Sequence, residues 1–371
     1  MKVLAALSGG VDSAVAAAAA LEAGHQVTGV HLALRPKTAD AADGCNAPEA
    51  LMDAHEAATA LGIGFQVWDL SQRFEELVVR DFLDQYAAGR TPNPCVRCNQ
   101  YIKFNLLQSR AWELGFDAVC TGHYARLDVV GGVPRLRRAK DLAKDQSYVL
   151  AAAGGTALTR SWFPLGEFTS KAEVRRKAAS LGLPVADKPE SVDICFIPDG
   201  DTKGFLRARL GEKPGVLVDS GGQVVGRHRG AHQFTVGQRR GLHLGDPAAD
   251  GEPRYVTAID TATGVVTVGS ATDLEVGRFT VSALDWYEPA PDATSDGGQP
   301  RLSQERAPAS RQGLVQVRAH GQAVACQVVP SPVGHTVELA QPIRGLAAGQ
   351  LAVFYQDDLV IGHGTIEPRG H

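Results

Sequence analysis

The sequence predicts an α/β fold in which a parallel-sheet domain with helices on both faces is followed by two small β-rich domains. Three observations carry this expectation. Over the first 200 residues, apolar runs of strand length alternate with helical patterns. A Ser-Gly-Gly turn, Ser8-Gly9-Gly10, sits between the first strand and the first helix, where a parallel sheet opens its ligand crevice. After Phe205 the pattern changes to short β-rich runs punctuated by Gly. The expected units are residues 1–205, 206–277 and 278–371, consistent with roughly 100–200 residues per domain.

Lys2 to Leu7 reads as a buried strand, Ser13 to Ala23 as an Ala-rich helix closed by Gly24, and Gln26 to Leu34 as a second strand. A helix from Pro48 to Leu61, a strand from Phe65 to Leu70, helices from Phe74 to Ala88 and from Lys103 to Leu114, and a strand from Ala118 to Thr121 follow. Ser170-Lys171-Ala172-Glu173 is a capping box for a helix that ends at Gly182, ahead of Pro184. Val216–Val218, Tyr255–Ile259 and Val265–Val268 read as strands, and so does the last segment, Gly313 to Ile366. Between them Glu288 to Gln312, rich in Pro, Ala, Ser, Gly and Asp, reads as a mobile insertion.

Composition narrows the function. No run of about 18 apolar residues occurs, and Met1 leads into too short an apolar stretch for a secretory signal, so neither a membrane nor a secreted protein is expected, and the site of action is the cytoplasm. Six cysteines in 371 residues are too few for an extracellular disulfide scaffold. The net charge is −4, yet residues 135–240 hold 19 Lys and Arg against 11 Asp and Glu, leaving the remainder at −12. A basic middle in an acidic chain suits a polyanion lying across one face; the alternative is a solvated Arg-rich surface.

In Ser8-Gly9-Gly10-Val11-Asp12-Ser13 two glycines let backbone amides turn inward, two hydroxyls can donate, and a helix N-terminus adds positive partial charge, so the loop is built for an anion. It lacks the Lys of a Walker loop and the G-x-G-x-x-G of a dinucleotide site. Asp12 beside phosphates is best used on Mg²⁺, since a bare carboxylate would repel the ligand. In Thr91-Pro92-Asn93-Pro94-Cys95-Val96-Arg97-Cys98 a Pro-bracketed loop carries two thiols just ahead of a helix, beside Arg97 and Lys103, which should lower a thiol pKa. A third thiol, Cys195, lies in the apolar run Ile194–Ile197. The C-x-x-C is also half of a zinc site, but no second half occurs. Cys45, Cys120 and Cys326 default to buried apolar roles.

SGGVDS resembles the signature of the PP-loop ATP pyrophosphatases, which split ATP into AMP and pyrophosphate. With TPNPxxxCNxxIKF at Thr91–Phe104, TGHYAR at Thr121–Arg126, KDQSYVL at Lys144–Leu150, FPLGE at Phe163–Glu167, ICFI at Ile194–Ile197, TVGQRRGL at Thr235–Leu242 and GQLAVFY at Gly349–Tyr355, the chain resembles the tRNA-specific 2-thiouridylases nearly end to end. That resemblance implies a PP-loop domain, a central β-domain and a C-terminal β-barrel. It implies ATP on Ala6, Leu7, Ser8, Gly9, Gly10, Val11, Asp12 and Ser13, with Leu32 and Gly122 at the adenosine. It also implies Cys98 and Cys195 as catalytic thiols, Cys195 receiving sulfur as a persulfide from a donor protein, with a Cys98–Cys195 disulfide left to be reduced. tRNA is the implied partner of His123, Lys144, Asp145, Gln146, Arg318 and Gln350, and the basic middle of the chain adds Arg239 and Arg240 as expected tRNA contacts. The chain departs from the family pattern at Cys95, where Asn-Pro-Asp is usual. Cys95, Cys98 and Cys195 therefore offer a second route, a [4Fe-4S] cluster on three thiolates that delivers the sulfur. A PP-loop synthetase acting on a small molecule is the remaining enzymatic alternative, and a non-catalytic RNA-binding module the alternative outside enzymes.

Overall fold

A computed structural model describes residues 1–35, 48–130, 132–189, 194–244, 251–287, 310–332 and 334–368. Cys45, Glu190, Ser191 and the expected insertion as far as residue 309 lie outside them; the last positions of that insertion, Arg311 and Gln312, belong to a strand instead. The first unit contains strands β1 (Lys2–Ala6), β2 (Gln26–Ala33), β3 (Gly64–Asp69), β4 (Ala118–Cys120), β5 (Ala125–Val130), β6 (Val133–Arg138) and β7 (Ser161–Trp162). Five of these form a parallel sheet in the order β3-β2-β1-β4-β7. β1 is apolar along its length because both of its faces are covered, with Val3, Leu4 and Ala5 fully buried. The chain moves from β1 to β2 on one side and returns to β4 on the other, so the sheet reverses direction at the carboxyl ends of β1 and β4.

The helix Val11–Glu22 opens directly after that switch point, two residues earlier than the Ala-rich run suggests. Its alanines are small enough for close packing on three sides. The cluster around Ala14, Ala17 and Ala20 includes Val3 and Ala5 of β1, Ala54, Ala57 and Ala58 of the helix Pro48–Ala60, and Val174 and Ala178 of the helix Lys171–Ser180. The capping box forms as expected on the Ser170 side, its hydroxyl accepting from Glu173 N, while the Glu173 carboxylate reaches Thr169 N.

The thiol-bearing helix differs from expectation. Helical structure begins at Pro94 rather than near Lys103 and continues to Glu113, with wide π-type turns over Cys98–Leu107. Asn93 caps it by accepting from Cys95 N, and Pro94 occupies the first helical position, where its missing N–H costs nothing.

Strands β8 (Gly215–Val218), β9 (Val224–His228), β10 (Tyr255–Asp260) and β11 (Val265–Gly269) form the central sheet in the order β10-β11-β8-β9. A helix that the sequence pattern did not suggest, Thr202–Leu210, leads into it. The last unit is β12 (Glu275–Trp286), β13 (Arg311–Gln316), β14 (Val324–Ser331), β15 (Gly334–Arg344), β16 (Leu351–Gln356) and β17 (Leu359–Ile366). Pairing of β12 with β17 closes these six strands into a barrel around Val281, Val337, Ala352, Phe354 and Ile366.

Two joints bind the units. The antiparallel hairpin β5–β6, absent from the sequence expectation, extends the barrel sheet by pairing Arg137 with Leu359. The carboxylate of Asp358 takes ion pairs from Arg126 and Arg137, and its carbonyl accepts Arg138 N at 2.8 Å. Beneath the hairpin, Arg138 lies 3.7 Å from the Tyr355 ring centroid and donates to Gln316 Oε1 at 2.8 Å and Asp145 Oδ2 at 3.1 Å. The second joint is at residues 89–91. Thr91 N donates to Ala348 O at 2.7 Å, Thr91 O accepts Gln350 Nε2 at 2.7 Å, and Thr91 Oγ1 meets Thr235 Oγ1 at 3.3 Å. Arg90 pairs with Glu367 at 3.0 Å.

Arg138→Ala should lower stability by about 2 kcal/mol, as expected for removing a stacked, charge-assisted partner from a carboxylate that is only 3% exposed. Urea unfolding followed by tryptophan fluorescence checks this, and an unchanged midpoint would show that the joint carries no stability.

Candidate active site

The loop Ser8–Ser13 sits at the switch point between β1 and β4 and is fixed from within. Ser13 Oγ donates to Gly10 O at 2.9 Å, Ser8 N donates to Ser13 Oγ at 3.1 Å, and the two hydroxyls stand 3.2 Å apart. Gly9 has φ +81°, and a Cβ there would run into the Ala50 carbonyl, so the turn requires Gly. Gly122, just beyond β4, approaches from the other side: a Cβ would stand 2.7 Å from the Asp12 carbonyl carbon and the Ser13 nitrogen. Ala6 and Leu7 complete the entry to the loop, and Leu7 O accepts His31 Nδ1 at 2.9 Å. His31 is buried, which lowers its pKa against the opposing effect of that hydrogen bond. Val11 is buried in the first helical turn, and Leu32 lies half-buried near the carboxyl end of β2.

Asp12, assigned to Mg²⁺ by the sequence reading, accepts Lys171 Nζ on both oxygens at 2.6 Å and the Tyr124 hydroxyl at 2.6 Å. Neither partner was picked out in the sequence. Tyr124 lies inside the TGHYAR motif and Lys171 inside the capping box, so each signal was read as something else. A single carboxylate beside an anion loop fits Mg²⁺, which is bound mainly through nucleotide phosphates and needs one or two protein carboxylates.

Cys95 is exposed in the first turn of the helix that starts at Pro94, whereas Cys98, one turn on, is 8% exposed. Cys98 shares an apolar cluster with Phe74, Val78, Phe82 and Phe196, and Cys195 packs against the same cluster. Phe196 makes edge contacts with Phe74 and Phe82 that hold the Cys195 turn in place. Arg97, expected to polarise a thiol, turns instead to Asp81, at 2.6 and 3.0 Å, and to the Tyr101 hydroxyl. Lys103 Nζ stands 3.5 Å from His123 Nε2. Among the described residues no group of three or more His, Cys, Asp or Glu side chains is placed to hold a metal ion. Cys120 and Cys326 are buried as expected, and burial pushes both thiols up to about 12.

Residues 1–199 match the family described as a tRNA methyl transferase HUP domain, residues 203–270 a tRNA methyl transferase PRC-barrel domain, and residues 277–366 an aminomethyltransferase beta-barrel domain. The tRNA-specific 2-thiouridylase MnmA of Beutenbergia cavernae is 52% identical, covering 100% of this chain and 96% of that protein. Its counterpart from Saccharopolyspora erythraea is 51% identical, with 99% of each covered. The chain belongs to the tRNA-specific 2-thiouridylase family. Among solved structures, a 4-thiouridine synthetase–RNA complex with bound ATP is similar over 54% of this chain and 45% of that one, at 22% identity and a TM-score of 0.35.

The positions that the thiouridylase resemblance and the basic middle assign to tRNA divide into two groups. Arg239, Arg240 and Arg318 are exposed, and Lys144 is half-exposed on the turn after Asp141. The others are engaged inside the protein. Asp145 accepts Ala139 N, Ser147 N, Ser147 Oγ and Arg138; Gln146 Oε1 accepts Tyr124 N at 2.9 Å; and Gln350 is held on Thr91. His123 is buried between Phe104 and Phe163, with Thr121 Oγ1 2.7 Å from its Nδ1. In this conformation these four side chains hydrogen-bond or pack within the protein.

Burial and the nearby Lys103 ammonium hold His123 well below its ordinary 6.5, and burial lowers His31. Histidines kept neutral in the fold contribute stability that is complete above pH 6.5 and lost as pH falls from there toward their folded values. The melting temperature should therefore drop below pH 6.5, and His123→Gln should flatten that drop by up to about 1.4 kcal/mol per pH unit. A differential scanning calorimetry series from pH 7.5 to about 5 checks it, and equal pH dependence in the variant would rule His123 out as a contributor.

Proposed function

We propose that the chain replaces the 2-oxygen of the wobble uridine in tRNA with sulfur, converting ATP to AMP and pyrophosphate. The observation that carries this reading is the packing of Cys98 and Cys195, distant in sequence, against one apolar cluster in a chain whose anion loop sits at the sheet's switch point. The three units at 1–205, 206–277 and 278–371 act together in it, the first carrying the chemistry and the β-units presenting the RNA, in the cytoplasm. No helix among the described residues is long and apolar enough to cross a membrane.

The chemistry follows from a poor leaving group. Uridine O2 attacks the α-phosphorus of ATP, the bond from that phosphorus to the β-bridging oxygen breaks, pyrophosphate leaves with the electron pair, and the N3 proton passes to solvent. The amides and hydroxyls of Ser8–Ser13 hold the phosphates in line, and Leu32 and Gly122 border the adenosine. Mg²⁺, held by Asp12, supplies charge neutralisation when bound. A donor protein loads Cys195 with a second sulfur. That terminal sulfur bonds to C2 as the C2–O bond breaks, with AMP taking the electron pair. The Cys98 thiolate then attacks the Cys195 sulfur, the S–S bond to the base breaks, and 2-thiouridine leaves with a Cys98–Cys195 disulfide behind it. An external dithiol reduces the disulfide for the next turnover. The [4Fe-4S] route would instead need Cys95, Cys98 and Cys195 as three thiolate ligands of one cluster.

With tRNA, ATP, Mg²⁺ and a persulfide donor, the protein should form 2-thiouridine and release AMP and pyrophosphate in equal amounts, as read by nucleoside mass spectrometry and chromatography; ADP as the product would sink the reading. In the same assay Cys98→Ser and Cys195→Ser should each lose activity by about a thousandfold or more, and Cys95→Ser should retain most of it. Loss of activity together with bound iron in all three would favour the cluster route instead. Replacing both Arg239 and Arg240 by Ala should reduce the slope of log affinity for tRNA against log salt by about one to two. An unchanged slope would place the RNA on another face.

A further inference from the structure

The phosphate loop contains no basic residue, since Ser8-Gly9-Gly10-Val11-Asp12-Ser13 lacks the Lys that a Walker loop carries. Amides, hydroxyls and one helix N-terminus would face a triphosphate whose leaving group develops further negative charge as the α–β bond breaks. The fold supplies a cation from elsewhere. Lys171, 159 residues downstream of Asp12, is the first residue of the helix Lys171–Ser180, whose N-terminus is directed at the loop by the packing of Val174 and Ala178 against the helix Val11–Glu22. Its ammonium rests on both Asp12 oxygens at 2.6 Å and stands 5.7 Å from the Tyr124 ring centroid. The Lys171 side chain is 15% exposed and that of Asp12 34%, so the carboxylate, which belongs to the loop, is the more open member of the pair.

We propose that Lys171 is a catalytic residue of the adenylation half-reaction: it contacts the β- and γ-phosphate oxygens of ATP and neutralises the departing pyrophosphate, and Asp12 holds it in place until the nucleotide arrives. The inference rests on the ATP-dependent reading above. Lys171 transfers no proton in this step. The electron pair of the broken P–O bond stays on pyrophosphate, and the ammonium compensates it by charge-assisted hydrogen bonds. Tyr124, donating to Asp12 Oδ1 at 2.6 Å, is a positioning residue that keeps the carboxylate turned to the ammonium. Its own main chain is pinned by Gln146, whose N donates to Tyr124 O at 2.8 Å and whose Oε1 accepts Tyr124 N. This gives Gln146 of the KDQ segment a task in nucleotide handling.

Calorimetric titration of inorganic pyrophosphate and of AMP in metal-free buffer separates the phosphate tail from the nucleoside end. Wild type, Lys171→Gln, Asp12→Asn and the Asp12→Asn/Lys171→Gln pair are compared, the last leaving no carboxylate stranded if the single Lys variant fails to fold. Asp12→Asn should bind pyrophosphate at least as tightly as wild type. Adding Lys171→Gln should weaken pyrophosphate about tenfold or more while AMP changes by less than about twofold. Equal pyrophosphate affinity in Asp12→Asn and the pair would overturn the proposal, and so would a parallel loss of AMP, which would mark Lys171 as merely structural. A wild type that binds neither pyrophosphate nor AMP would overturn the nucleotide reading itself.

Discussion

The arrangement of this protein depends on the main chain of Thr91. Its N–H and C=O are both bonded to the barrel, at Ala348 O and Gln350 Nε2, and its hydroxyl touches Thr235 of the central module. Backbone groups at the end of one helix and the approach to the next have no intrahelical partners of their own. Here they are satisfied by the barrel module, so the start of the helix carrying Cys95 and Cys98 is set by a segment that follows it by well over a hundred residues. The β-modules are thus part of the site's framework even though their described residues bring no thiol to it.

The same economy recurs around the anion loop. Gly122 closes on Asp12 and Ser13, Gln146 fixes Tyr124, Tyr124 fixes Asp12, and Asp145, one residue before Gln146, is held by Arg138 against Tyr355 of the barrel. Low exposure strengthens each of these polar contacts and raises the cost of leaving one unmade. A route of packed, hydrogen-bonded groups therefore runs from β16 to the loop.

Much of this was legible in the sequence, and the rest was hidden for identifiable reasons. β1, the Ala-rich helix and the Ser-Gly-Gly loop carry local signals: an apolar run, a period near that of a helix, and a turn only Gly can make. The helix start at Pro94 was also encoded locally, in the Asn93 cap and the proline after it, but a Pro-bracketed stretch was read as a loop. The hairpin β5–β6 had no such local mark, because its buried side faces Leu351, Val353 and Val360, which composition at residues 125–138 cannot reveal. For the site residues, motif position identified the loop and the thiols. It did not distinguish an exposed Arg239 from an Asp145 that is consumed by Ser147, Ala139 and Arg138, since the two differ only in burial. Lys171 was overlooked because its partner is 159 residues away.

The attachment of β5–β6 to β17 has a consequence for how the chain must be made. During synthesis residues 125–138 emerge long before Asp358 and Leu359, so the hairpin waits with Arg126 and Arg137 lacking their Asp358 partner and with an unmatched strand edge until β17 arrives. Apolar Val129, Val130 and Val133 at the tip of this hairpin stay exposed even in the finished fold. A nascent chain paused between the first unit and the barrel consequently presents an open strand edge, which pairing with β17 closes.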